Sequence, residues 1–464
     1  GNILSGKGVI VGVIDTGIDI FDNAFRNSDG TTRILNIYDQ TTGEKYDKQS
    51  IDEYIRLNED LSGGTFSYDN APGVDNIMHG TDVSYIAAGS LGVAYEADII
   101  AVKMGYSINN QFPRTTSLMD AIDYIIRKAI EYRKPVAVNI SYGCNYGAHN
   151  GNTLLESFID DISKSYRCVI CVGSGNEADK AIHFGGIINT GQVQTAYLSV
   201  GEYQSAIDIQ IWKNYWDTID VMLINPRGEQ IGIITEGRIN RYETYNTEII
   251  TLLGEPSPYN IYQEIYINLI PKTDYILSGI WQIVLMAGSI RAGEYNIWLP
   301  SSQALGYATA FNNPTADGTI TIPATARNCI AVGAYNAYTN SYAAFSGRGF
   351  DNSIRNVNAG VKPDITAPGV DISIARQRGN DITYRNVTGT SYAVPVVTGA
   401  AALLMQWGIV MGNDRFMYGE KLKAALIDGS KPVGLVGITR NDNQPDPRTG
   451  WGAVCLKNTL NKIL

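Results

Sequence analysis

Two periods of hydrophobic patterning run along this 464-residue chain. Over residues 9–180, short unbroken apolar runs alternate with segments of helical spacing. The run 9–14 is apolar throughout and predicts a strand buried on both faces, as in parallel sheets. Asp98–Lys103, 136–141 and 168–172 predict three more strands. Leu118, Ile122, Ile125, Ile126 and Ala129 recur near helical spacing and predict a helix over 117–132. Further helices are predicted from His79 and over 153–165. This alternation predicts an α/β fold, a doubly wound, mostly parallel sheet with helices on both faces. The strongly apolar stretch 394–407 predicts one more buried helix, with Ser391 near its amino end. The stretch between Asp15 and His79 is polar and rich in Tyr and Asp, which predicts surface loops that restrict access.

From 186 to 317 the helical period disappears. Ile207-Asp208-Ile209-Gln210-Ile211-Trp212 and Ile265-Tyr266-Ile267-Asn268-Leu269-Ile270 alternate with a period of two. Trp281 to Met286 and Tyr295 to Leu299 continue the pattern, and Asn225-Pro226-Arg227-Gly228 supplies a turn signal. This is the pattern of an antiparallel β-sandwich, read here as a jelly roll. It interrupts the α/β pattern, so three segments are expected: 1–185 and 318–464 as one catalytic domain in two parts, and 186–317 as an insertion. Its aromatic content reads as sandwich core, with a carbohydrate platform as the alternative.

Composition narrows the function. The net charge of −10 and a pI near 4.9 exclude nucleic acid as the main partner. No apolar run is read as long enough to span a bilayer. Five cysteines, an odd number, form no disulfide framework. Cys168 and Cys171 fall on opposite faces of a predicted strand, which argues against a redox pair or a zinc site. Cys144, Cys329 and Cys455 read as small buried hydrophobes.

Three segments carry chemistry. Val11-Gly12-Val13-Ile14-Asp15-Thr16-Gly17 puts an acid at the carboxyl end of a buried strand, where open α/β sheets bind ligands. His79-Gly80-Thr81-Asp82-Val83 puts a base at a helix start, with a glycine that removes side-chain bulk beside it. The other two histidines are His149 and His183. Gly389-Thr390-Ser391-Tyr392-Ala393-Val394-Pro395 puts a hydroxyl near a helix amino terminus, which favours developing negative charge. Pro395 is expected in an early turn, where a missing donor costs little. A serine hydroxyl needs a base to take its proton, and a carboxylate on the other ring nitrogen fixes the imidazole tautomer.

The order Asp, His, Ser, with Gly beside each, resembles the subtilisin-like serine proteases, the subtilases or peptidase family S8. The resemblance covers about 1–185 and 318–464. It implies a subtilisin-like fold and catalytic Asp15, His79 and Ser391. Val169 to Glu177 is similar to the subtilase segment whose asparagine serves the oxyanion hole, which makes Asn176 that donor. Asn139-Ile140-Ser141-Tyr142-Gly143 resembles the strand that binds the substrate backbone, so Ser141, Tyr142 and Gly143 are expected to bind substrate, with Tyr142 and Glu177 flanking the first pocket. Phe345 to Gly349 and Lys362 to Gly369 match later subtilase loops and read as structural. One departure stands out: Asp82 takes the place of a second histidine, and a carboxylate there is expected to raise the pKa of His79.

The resemblance also implies a protein substrate and no catalytic cofactor; no acidic run assigns calcium, and a structural calcium is left open. Subtilases are made with a prodomain that is cut off autocatalytically. The chain begins at Gly1 without a methionine or signal-like segment, so it is expected to be the processed form or to start at an artificial boundary; in the first case its cleaved prodomain is a partner. A subtilase interrupted by a sandwich looks like the clostridial Csp proteases of spore germination, which activate a cortex-lytic proenzyme by a limited cut. That places the chain in a bacterial spore or among secreted proteins. The alternatives are a broad-specificity secreted subtilase and a catalytically silent regulatory pseudoprotease.

Overall fold

The computed structural model describes residues 4–60, 70–105, 114–234, 239–258, 260–350, 360–378, 381–434 and 445–464. Its centre is a nine-stranded sheet. Ile330–Asn336, Cys168–Gly173, Val136–Ile140, Ile10–Asp15, Asp98–Lys103 and Ile34–Asp39 lie side by side and all run parallel. Ile365–Pro368 also pairs in parallel with Ile330–Asn336. Two short strands, Ser341–Tyr342 and Glu44–Asp47, add antiparallel edges.

The apolar strands are buried because helices cover both faces. Within Ile10–Asp15, Val11 and Val13 face one core, together with the helices His79–Ala88 and Thr390–Met405. Ile10 and Ile14 face the other, with Thr115–Tyr132 and Leu154–Ser165. Cys168 and Cys171 divide between these cores in the same way. All five cysteines are free, and Cys455 is only half-buried, unlike the expectation. Leu154–Ser165 starts from a capping box, with the Thr153 hydroxyl accepting from Glu156 N and the Glu156 carboxylate accepting from Thr153 N.

The stretch after Asp15 differs from the loops expected. Ile34–Asp39 joins the central sheet, and Lys48–Asp60 is a helix that buries Ile51 and Ile55 beneath polar neighbours. Its apolar stripe is narrow, so the polar surface dominates the sequence pattern. Residues 61–69 lie outside the described part.

Strands from His183–Ile187 to Ala310–Phe311 form two antiparallel sheets, of six and five strands. Their inward faces share one core containing Ile209, Ile211, Ile267, Trp281, Ile283 and Trp298. The turn at 225–228 closes with Gly228 N donating to Asn225 O at 2.9 Å. At the seam with the protease core, Trp298 stacks with two rings, with centroid distances of 4.1 Å to His149 and 4.9 Å to His183.

One correction concerns the bilayer. Thr390–Val410, 21 residues, is long and apolar enough by composition to cross a membrane. Of its most apolar stretch, 78% is buried inside the protein, packed on the central sheet.

Candidate active site

Asp15 is the last residue of its strand, between Val136–Ile140 and Asp98–Lys103. Its Oδ1 accepts from Thr16 N at 2.8 Å and lies 2.6 Å from His79 Nδ1. His79 opens its helix, and its side chain keeps 26% exposure against 1% for Asp15. Burial works against charge on this ring. The charge and hydrogen bond of Asp15, with Asp75 behind them, outweigh it, and the His79 pKa is raised, with Arg385 opposing. Gly80 is required by close packing against the loop of the acid. A Cβ there would lie 2.3 Å from Gly17 O and 3.0 Å from Asp15 Cβ, so only glycine lets the helix reach the acid.

Asp75 escapes motif reading, four residues before His79 and fully buried. Its Oδ1 accepts from the Thr16 hydroxyl at 2.8 Å and Met78 N at 2.7 Å, and its Oδ2 accepts from Thr81 N at 2.8 Å and the Thr81 hydroxyl at 2.7 Å. Gly80 N donates back to Thr16 Oγ1 at 2.9 Å. This carboxylate therefore ties the acid's loop to the start of the histidine helix.

Ser391 is the second residue of Thr390–Met405, so its amide is among those without an intrahelical acceptor. Its neighbour Tyr392 packs on His79, with ring centroids 5.4 Å apart. Close approach of the two helices needs Gly399, where a Cβ would meet Val93 Cβ at 2.5 Å and Ala87 O at 2.9 Å. Pro395 lies beyond the first turn, unlike the expectation, and denies Ser391 O its helical donor. The Ser141 hydroxyl donates to that carbonyl instead, at 3.3 Å. Asn139 Nδ2 donates to Ser141 Oγ at 2.9 Å, and the Thr398 hydroxyl donates to Asn139 Oδ1 at 3.1 Å. Asn176 Oδ1 accepts from Thr390 N at 2.9 Å and from the Thr390 hydroxyl at 3.0 Å. Those bonds fix the carboxamide and leave its Nδ2 as a donor beside Gly389.

The slot between the segments 141–144 and 173–176 is floored by 319–322. Thr321 N donates to Ser174 O at 3.0 Å, and Cys144 N donates to Ile322 O at 2.9 Å. Thr321 fills the space between the facing glycines: a Cβ on Gly143 would lie 2.2 Å from its Oγ1, and one on Gly175 2.4 Å from its Cγ2. Glu177 is buried, which raises its pKa, and its carboxylate accepts from Ser302 N at 3.0 Å.

Asp82 is tied to two arginines and bears on His79 through them, not directly as expected. It is fully buried and paired with Arg376 and Arg385, which come from the hairpin of Ile372–Arg378 and Asp381–Val387. The carboxylates that raise the His79 pKa are Asp15 and Asp75. Among the described residues, no group of three or more His, Cys, Asp or Glu side chains is placed to hold a metal ion.

The Subtilase family model, Peptidase_S8, matches residues 6–257 and 292–452. The chain belongs to the subtilase family. This subtilase is similar in structure to the CspB protease of Clostridium perfringens, with a TM-score of 0.88 and 34% identity, covering 99% of this chain and 94% of that one. In sequence it is 33% identical over 128 residues to the subtilase-type proteinase RRT12 of Saccharomyces cerevisiae, covering 27% of this chain. It is 38% identical over 107 residues to Subtilisin E of Bacillus subtilis, covering 23% of this chain. These matches span about a quarter of the relatives' own length, 23% and 24%.

Proposed function

We propose that this subtilase is an active serine endopeptidase in which Ser391 is the nucleophile, His79 the general base and Asp15 its orienting acid. The observation that carries the reading is the 2.6 Å contact of His79 Nδ1 with the buried Asp15 carboxylate, beside the helix that bears Ser391. With Nδ1–H donating to Asp15, Nε2 is left to take the serine proton. Ser391 attacks the scissile carbonyl, and the oxyanion is held by Asn176 Nδ2 and the Ser391 amide. His79 then protonates the leaving amine, and water hydrolyses the acyl-enzyme.

Ser141, Tyr142 and Gly143 bind the substrate backbone in this reading, and Thr321 limits the first pocket to short side chains. The likeness to CspB supports a limited cut in a precursor, such as a spore cortex-lytic proenzyme during germination, in a bacterial spore or after secretion. The chain's own cleaved prodomain is a second partner. A fluorophosphonate probe tests the chemistry. A single adduct on Ser391, absent from Ser391→Ala, is expected. No adduct would favour the silent pseudoprotease. Cleavage of unfolded casein at many sites would favour a broad-specificity enzyme over a processing one.

A further inference from the structure

His79 is mounted on Met78, a non-glycine residue in left-handed conformation with φ 66° that caps the histidine helix without a side-chain hydrogen bond. Such a backbone persists only where its surroundings hold it. Asp75 holds one side, accepting from Met78 N at 2.7 Å. The hairpin after the central sheet holds the other. Arg376 Nη2 donates to Met78 O at 2.9 Å, and Arg385 Nη2 donates to the same oxygen at 3.3 Å. Both guanidiniums also engage Asp82, one turn along the helix, with Arg376 Nε donating to Asp82 Oδ1 at 2.9 Å. Two cations thus face Asp82, Arg376 also lies within range of the buried Asp22, and Arg385 brings positive charge beside the histidine.

We propose that Arg376 and Arg385 are positioning residues for the base: they fix the Met78 peptide on which His79 is mounted and set positive charge within reach of its ring. The proposal rests on the reading of His79 as the general base. The charged and titratable groups around the ring come from four elements: Asp15 on its strand, Asp75 in the preceding loop, Arg376 and Arg385 on the hairpin, and Tyr392 on the serine helix. Asp82 lies on the histidine's own helix. Asp15 and Asp75 favour the imidazolium, and Arg385 opposes them. A neutral ring is what the first step requires, so a cation here extends activity toward acid pH. The fork of an arginine suits the site because it reaches a carboxylate and a carbonyl at once.

The test is kcat and KM against pH on a peptide substrate for the full chain and its variants, normalised to fluorophosphonate-labelled enzyme. Arg385→Gln is expected to move the acid limb of kcat/KM to higher pH, and Arg385→Lys to restore it. Asp82→Asn, which leaves Arg385 without its buried counter-charge, is expected to move the limb the opposite way. Arg376→Gln is expected to lower kcat/KM by roughly ten- to a hundredfold through misplacement of the ring. Variants that lose only thermal stability, with an unmoved limb and unchanged turnover per labelled site, would overturn the proposal. If Arg376→Gln fails to fold, the opposed shifts of Arg385→Gln and Asp82→Asn still decide it. Activity surviving in His79→Ala would overturn the triad reading itself, and the proposal with it.

Discussion

Acidification should unlock the seam between sandwich and protease core. His149 and His183 both stack on Trp298, and both are buried beside carbonyl groups. Burial lowers each pKa from 6.5 to about 4, although the neighbouring carbonyls pull the other way. In the unfolded chain both rings titrate normally. The unfolded state therefore binds more protons between these values, and stability falls as pH falls. The contribution of the neutral rings is complete above pH 6.5 and is lost progressively toward pH 4. A fall of this size is worth about 3 kcal/mol per ring at about 1.4 kcal/mol per pH unit, a large share of a typical stability of about 5–15 kcal/mol. The assay is urea unfolding at a series of pH values from 7 to 4, for the wild type and for His149→Asn with His183→Asn. Asparagine keeps a donor near the Nδ1 position but does not titrate. Below pH 6.5 the wild-type slope should exceed that of the variant by up to about 2.7 kcal/mol per pH unit, the value for two protons. Carboxylates with raised pKa, such as buried Glu156 and half-buried Glu294, titrate in both proteins and cancel in the comparison. Equal slopes would refute the reasoning.

Turnover in Ser391→Ala should fall about a millionfold in single-turnover peptide assays. Asn176→Asp keeps the acceptor for Thr390 but loses the donor, so kcat should fall roughly 100- to 1000-fold with KM nearly unchanged. Thr321→Ala should shift cleavage in a peptide library toward larger residues before the scissile bond, and an unchanged preference would remove Thr321 from the pocket floor. Asp364 is fully paired with Lys362 at 2.8 Å and Lys423 at 2.7 Å, and these lysines hold its carboxyl low despite burial. Asp364→Asn should therefore cost about 3–5 kcal/mol in chemical denaturation while the folded fraction keeps its kcat.

Four of the parallel strands and the segments around Asp15, His79, Asn176 and Ser391 are legible in the sequence because their signals are local, whereas Ile365–Pro368, read as a structural loop, joins the sheet by pairing with Ile330–Asn336. An apolar run fixes a buried strand, and each chemical group sits within a few residues of a glycine-marked turn. Lys48–Asp60 is not legible because its polar outer face dominates, and Ile34–Asp39 because Asn36 and Asp39, both buried, interrupt its apolar run. Asp82 shows the limit most plainly. Its neighbour in sequence is His79, but its charge is answered by Arg376, 294 residues away. No local pattern reports such a pairing. Thr321 is hidden similarly, since its meaning comes from Gly143 and Gly175, which the fold brings to either side of it. Pro395 misleads by one turn, and only the Ser141 hydroxyl explains how the helix tolerates it.

The bond between Asn176 and Thr390 joins residues 214 apart, with the whole sandwich made in between. During synthesis the acid, the base and the anion-binding carboxamide of the proposed mechanism leave the ribosome first, and the nucleophile follows only after the inserted strands have emerged. A nascent chain that stalls inside the sandwich has no serine helix to fix Asn176 and nothing to attack a peptide bond. On that reading the chemistry is assembled last, from a helix that also fills the core of the finished protein.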